Sequence, residues 1–140
     1  MAQSNFSAAE VAIQHGVKCV TDVTGFGLAV HLIEMLESSQ GATVNVLDLP
    51  SFEGVLSYMS RDIRSTGHQS NKDAATGYLS GMDRTSLEAE LLFDPQTCGG
   101  LLMGVAPEEL DNLSSVLASS GVQSYAIGEV TDNAGLIELC

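Results

Sequence analysis

Two periods of apolar and polar positions alternate along the chain, and each change of period marks an element. Leu28, Leu32, Met35 and Leu36 recur at helical spacing while Glu34 and Glu37 fall toward the opposite face. Residues 28–37 therefore read as an amphipathic helix, closed by Ser38-Ser39-Gln40-Gly41. Residues 7–15 read as another, with Ser7 at the cap, Glu10 at capping-box spacing and Gly16 at its end. Residues 18–22 read as a short strand, the apolar run 101–105 as another, and the alternation over 42–47 as a half-buried third. Pro50 breaks the last pattern, and 52–59 reads as a short helix. Residues 89–93 are a further strand candidate, leading into a turn at 94–100. Pro107 at a first helical position, followed by Glu108 and Glu109, opens a helix to about Ser119 that Gly121 ends. Residues 124–131 and 136–139 read as two strands joined by the hairpin-like turn Asp132-Asn133-Ala134-Gly135. The polar stretch 61–81 predicts an irregular excursion, helical only near 74–79.

Helices and strands are interleaved and the last two strands run antiparallel in this reading, which predicts an α/β layered domain with a mixed sheet. The 140 residues suit one domain, and no internal repeat, low-complexity tract or linker divides them. No apolar run approaches the ~20 residues that span a bilayer. The start, Met1-Ala2-Gln3-Ser4-Asn5, lacks the basic and apolar regions of a secretory signal. A net charge of -13 repels nucleic acid and anionic lipid, so neither is an expected partner. Four of the five basic residues gather loosely from Arg61 to Arg84, with acids among them. Cys19, Cys98 and Cys140 form no Cys-x-x-Cys pair, which argues against a disulfide framework or structural zinc and for a reducing, cytoplasmic setting.

Candidate chemistry concentrates in Thr21-Asp22-Val23-Thr24-Gly25-Phe26-Gly27, between a short strand and the best helix. A carboxylate at a strand end, followed by glycines that open a helix, can hold a cation beside a phosphate. By itself Asp22 is equally a turn-forming residue, and one carboxylate does not make a magnesium site. Gly25 and Gly27 allow either close backbone approach to a ligand or a tight turn. Neither Gly-x-x-x-x-Gly-Lys-Ser/Thr nor Gly-x-Gly-x-x-Gly occurs. The second candidate is the 94–100 turn, where Thr97, Cys98, Gly99 and Gly100 can present successive N–H groups to an anion or simply join two core strands. Cys98 reads as a small buried or half-buried thiol rather than a nucleophile. His31 reads as a packed, hydrogen-bonded side chain beside the apolar stripe. His68, near Arg61, Arg64, Asn71 and Lys72, reads as part of a solvated loop.

These residues resemble one family. Residues 21–28, with His31-Leu32 and Glu34-Met35, look like the signature of selenophosphate synthase (selenide, water dikinase). Leu91-Leu92-Phe93-Asp94-Pro95-Gln96-Thr97 with Gly99-Gly100-Leu101-Leu102 matches a second signature, and Ile127-Gly128-Glu129-Val130 a short third. Ser4-Asn5 and Ala8-Ala9-Glu10 resemble the segment before the first. The resemblance covers almost the whole chain but only the C-terminal half of that enzyme. It implies a three-layer α/β/α domain with a mixed sheet, like the C-terminal domain of aminoimidazole ribonucleotide synthase. It also implies a parent reaction in which ATP, selenide and water give selenophosphate, AMP and phosphate. By the same match Asp22 is a magnesium ligand alongside carboxylates of the N-terminal half, and Thr24, Gly25, Gly27, Thr97, Gly99 and Gly100 lie beside ATP. The implied partner is the N-terminal domain of the same enzyme, with room for a homodimer. The family's nucleophilic Cys or selenocysteine, its Lys and its Gly-rich segment have no counterpart here, and Lys18 and Cys19 belong to a different motif. The chain is thus expected to be inert alone. Cys98 stands where the family often has Ser, and Val30 replaces a common Gly. The segment 64–71 follows the family's substrate-side loop only loosely. The alternatives are a non-catalytic binding or regulatory module with the same fold, and half of a relative that acts on a ribonucleotide.

Overall fold

The computed structural model describes residues 4–81 and 85–140. Arg84 and the first residues of the N-terminal segment considered above lie outside the described residues. In chain order the elements are α1 (Phe6–Gln14), β1 (Cys19–Asp22), α2 (Gly27–Leu36), β2 (Gly41–Val44), α3 (Val55–Met59), α4 (His68–Ala75), β3 (Leu79–Ser80), β4 (Leu101–Gly104), α5 (Leu110–Ser119), β5 (Gly128–Thr131) and β6 (Ile137–Leu139). β1 and β4 form an antiparallel ladder with Cys19 opposite Gly104 and Asp22 opposite Leu101. Alternation across that ladder sends Leu101 and Met103 to one face and Leu102 to the other. On the first face they meet Ala8 and Val11 of α1 and Leu113 and Leu117 of α5. On the second, Leu102 packs into the larger core with α2. The ladder therefore carries helices on both faces, an α/β/α stack.

Beyond α2 lies a mixed sheet in the order β3-β6-β2-β5. β6 runs parallel to β2 and β3, and β5 runs antiparallel to β2. Ala29, Leu32 and Leu36 of α2 share one core with Ala42 and Val44 of β2, Ile137 and Leu139 of β6, and Leu92 and Phe93. On the outer face of the sheet Thr43 sits between Glu129 and Glu138, so β2 reads apolar-in and polar-out as its sequence predicts. The α/β class and the mixed sheet follow the expectation. Among the described residues no helix is long and apolar enough to cross a membrane.

Several local expectations are overturned. Ser7 does not cap α1: the helix begins at Phe6, whose N–H donates to Ser4 Oγ at 3.2 Å. β2 ends at Val44 because Asn45 turns the chain: its side chain accepts from Leu47 N–H at 3.2 Å and donates to Asp48 Oδ2 at 2.6 Å. The 52–59 helix shortens to α3. Residues 89–93 are not a strand; Glu88–Phe93 is a 3-10 helix. Ala89 with Leu92, and Glu90 with Phe93, are buried at a spacing of three, the 3-10 period rather than the strand period of two. β5 and β6 are not a hairpin, because β2 lies between them. The 132–136 connection crosses the start of β2, with Gly135 N–H donating to Gln40 O at 2.9 Å and Ala42 N–H to Leu136 O at 3.0 Å. The 61–81 excursion holds α4 at His68–Ala75, upstream of the expected 74–79, where residues 76–78 are instead a 3-10 turn.

Candidate functional site

The two long motifs meet at one end of the β1–β4 ladder. Past Asp22 the pairing continues through Val23, whose N–H donates to Gly100 O at 3.0 Å and whose carbonyl accepts from Gly99 N–H at 3.1 Å. Thr24 O then accepts from Gln96 N–H at 3.0 Å and from Gly27 N–H at 3.1 Å. Asn5 Nδ2 ties the N-terminal segment to the same place by donating to Gly99 O at 2.8 Å. Two glycines are needed for this fit. Gly27 has φ +76, and a Cβ there would lie 2.9 Å from Leu92 O and 3.0 Å from Phe93 C. A Cβ at Gly99 would run into Val23 O and the Gln96 side chain.

The junction sets Asp22 and Thr24 on either side of Val23, which pairs with Gly99 and Gly100; Gly27 packs instead against Leu92 and Phe93, and Thr97 stands exposed in the 94–100 turn. The Gly99 N–H is committed to Val23 O of the facing strand end. Asp22 is exposed, and among the described residues its carboxylate makes no hydrogen bond or ion pair. No group of three or more His, Cys, Asp or Glu among the described residues could hold a metal ion. Asp22 thus presents an exposed carboxylate at the end of β1. Cys98 is exposed with φ +59 rather than buried or half-buried, so that expectation is corrected: the turn leaves its side chain outside both cores. His31 is buried and hydrogen-bonded as expected. Its Nε2 lies 3.0 Å from Thr24 Oγ1 and its Nδ1 3.1 Å from Glu34 Oε2.

Sequence reasoning missed the polar cluster behind this junction. His68 and its neighbours are not a solvated loop. His68 and Asn71 are buried on α4, as is Glu90 of the Glu88–Phe93 turn. Asn71 Nδ2 donates to Gly25 O at 2.9 Å and Phe93 O at 3.0 Å, clamping both motifs to α4. Glu90 accepts from Arg64 Nε at 3.1 Å, His68 Nε2 at 2.8 Å and Lys72 Nζ at 2.5 Å. Burial disfavours the Glu90 charge, but the hydrogen bonds from Lys72, His68 and Arg64 and the Lys72 charge outweigh it and hold the carboxyl at about 2. His68 must donate from Nε2 to that carboxylate, which leaves its buried Nδ1 without a hydrogen-bond partner. The sequence carried part of the signal: His68 and Lys72, four apart, share a face of α4, while Arg64 joins them from the segment before the helix. Asn71→Ala leaves two carbonyls short of a donor and is expected to cost about 1–3 kcal/mol of stability. Urea unfolding measures this, and a change below about 0.5 kcal/mol, the usual scatter for a surface site, would contradict the clamp.

The fold and this junction define an α/β domain whose paired turns present a carboxylate at its edge. The chain belongs to the family described as AIR synthase related protein, C-terminal domain, which matches residues 1–138. Among curated proteins it is similar to the selenide, water dikinase of Carboxydothermus hydrogenoformans, 38% identical over 134 residues that cover 95% of this chain and 39% of the relative. The selenide, water dikinase of Salmonella typhi is 40% identical over 139 residues, 96% of this chain and 39% of the relative. That of Photobacterium profundum is 39% identical over 145 aligned positions, the whole of this chain and 41% of the relative. The chain spans about two fifths of the length of these relatives.

Proposed function

We propose that this chain is the C-terminal domain of a selenophosphate synthase, which converts ATP, selenide and water to selenophosphate, AMP and phosphate. The carrying observation is the junction itself: both long motifs converge on the turn that exposes Asp22. The similarity to selenide, water dikinases over 95% of this chain supports the same reading. The residues fit a magnesium site in part. Magnesium is usually held by one or two carboxylates with phosphates and waters, so an unpartnered Asp22 suits one ligand position and no more. The other carboxylates would come from the N-terminal domain of the same enzyme. Bound there, magnesium would offset the charge of the ATP phosphates. The task of this chain is then positional. Asn71, Gly27 and Gly99 hold the turn rigid, and the ladder fixes Asp22 at its end. Thr24, Gly25, Thr97 and Gly100 line the same edge, within reach of a nucleotide held by the other domain.

In the complete enzyme, Asp22→Ala should raise the magnesium concentration for half-maximal ATP- and selenide-dependent AMP release by about tenfold or more, the loss of one charge-assisted contact. An unchanged magnesium dependence would remove Asp22 from the site. The 140-residue chain alone should release no AMP, and turnover by it would overturn the division of labour.

A further inference from the structure

Thr24, His31 and Glu34 form a hydroxyl–imidazole–carboxylate chain that the reading above leaves unused. Glu34 Oε2 lies 3.1 Å from His31 Nδ1, and His31 Nε2 lies 3.0 Å from Thr24 Oγ1. The polarity of the chain follows from its donors. An ionised carboxylate only accepts, so Nδ1 carries the proton. In the neutral ring Nε2 is then a lone pair, and Thr24 must donate its only hydroxyl hydrogen to it. The imidazole is held in place: the residue is 8% exposed, and Phe26 meets its ring edge-on with centroids 6.2 Å apart. The Thr24 oxygen is therefore left with lone pairs alone for anything that approaches the turn.

We propose that Glu34 and His31 are a positioning couple that makes Thr24 a pure acceptor toward its ligand. Thr24 then receives a hydrogen-bond donor of the metal–nucleotide complex, either a metal-bound water or a sugar hydroxyl, and does not donate to a phosphate oxygen. This rests on the selenophosphate synthase reading for the identity of that complex. The polarity of the chain stands apart from it. A hydroxyl that presents only lone pairs also repels bare phosphate oxygens, so the couple sets which part of the ligand can sit against the turn.

Two measurements test this. Nitrogen NMR of the 140-residue chain at about pH 8, above the usual histidine range, should show His31 in a single Nδ1–H tautomer. Glu34→Ala should release it to a mixture, and Glu34→Gln, whose amide oxygen still accepts, should restore it. An Nε2–H tautomer, or averaging in the unsubstituted chain, would overturn the proposal. In the complete enzyme, calorimetry with magnesium and a non-hydrolysable ATP analogue should show about tenfold weaker binding for Glu34→Ala, recovered by Glu34→Gln. The same titration with the 2′,3′-dideoxy nucleotide separates the donors: an unchanged Glu34→Ala effect assigns the metal-bound water, and an abolished one assigns the sugar. Unchanged binding in Glu34→Ala with the expected tautomer would overturn the role of the couple alone. Failure of the unsubstituted complete enzyme to bind the complex would overturn the underlying reading and the ligand assignment with it.

Discussion

Glu90→Ala is expected to lower folding stability by about 3–5 kcal/mol, the cost of removing one member of a buried charged pair. The side chain is 11% exposed and receives hydrogen bonds from Arg64, His68 and Lys72. Arg64 and Lys72 are only partly covered and can turn to water. The His68 side chain, 2% exposed, cannot, and its Nε2–H would join Nδ1 as a second unsatisfied buried group. Glu90→Gln keeps an acceptor for His68 and should cost less, about 1–3 kcal/mol. The same geometry sets a pH dependence. The Glu90 carboxyl falls from 4.5 to about 2 on folding, so the folded state favours the charged form. Its contribution is present above the unfolded value and is lost as pH falls from about 4.5 toward 2, amounting to about 3 kcal/mol by linkage. Urea midpoints for the chain and for Glu90→Gln across that window are the check. A gap between them that fails to close on acidification would contradict the assignment.

Gly27→Ala should be nearly as damaging, at about 2–5 kcal/mol. The backbone there has φ +76, where an L side chain costs about 1–2 kcal/mol. The added methyl would also press on the Leu92 carbonyl and the Phe93 backbone, and overpacking of that kind adds about 1–3 kcal/mol. The strain falls between the two motifs, so the Asp22 turn would have to move as well. Thermal unfolding measures the first effect, and the magnesium dependence of the complete enzyme the second. For the unfolding measurement Gly25→Ala is the control, since a Cβ there meets nothing within 4 Å and its φ is not in the left-handed region. Equal losses in the two variants would mean that general helix-start effects, and not the contact with residues 92 and 93, explain the result.

The contrast between these glycines shows how the site was legible and where it was not. Asp22, Thr24 and the glycines stood out because strand, turn and helix follow one another in a few residues, and local chemistry decides each step. His31 was legible as a packed histidine because it neighbours a clear apolar stripe. The Asn71 clamp and the Glu90 cluster were not, because polar residues read as solvated until something shows them covered. Their partners lie 18 to 46 positions away in the chain. The helix α4 was missed for the same reason: its buried face is His68, Asn71 and Ala75, which carries little apolar signal.

By itself, then, the sequence determined the helices with an apolar stripe, the strands β1, β2 and β4, the α/β class and the acidic turn, because each rests on periodicity or turn chemistry within a short window. Tertiary structure alone decided that β2 separates β5 from β6, that Glu88–Phe93 winds instead of extending, and that a buried carboxylate answers two cations and a histidine. Those outcomes depend on which distant surfaces exclude water from one another, and no local pattern records that.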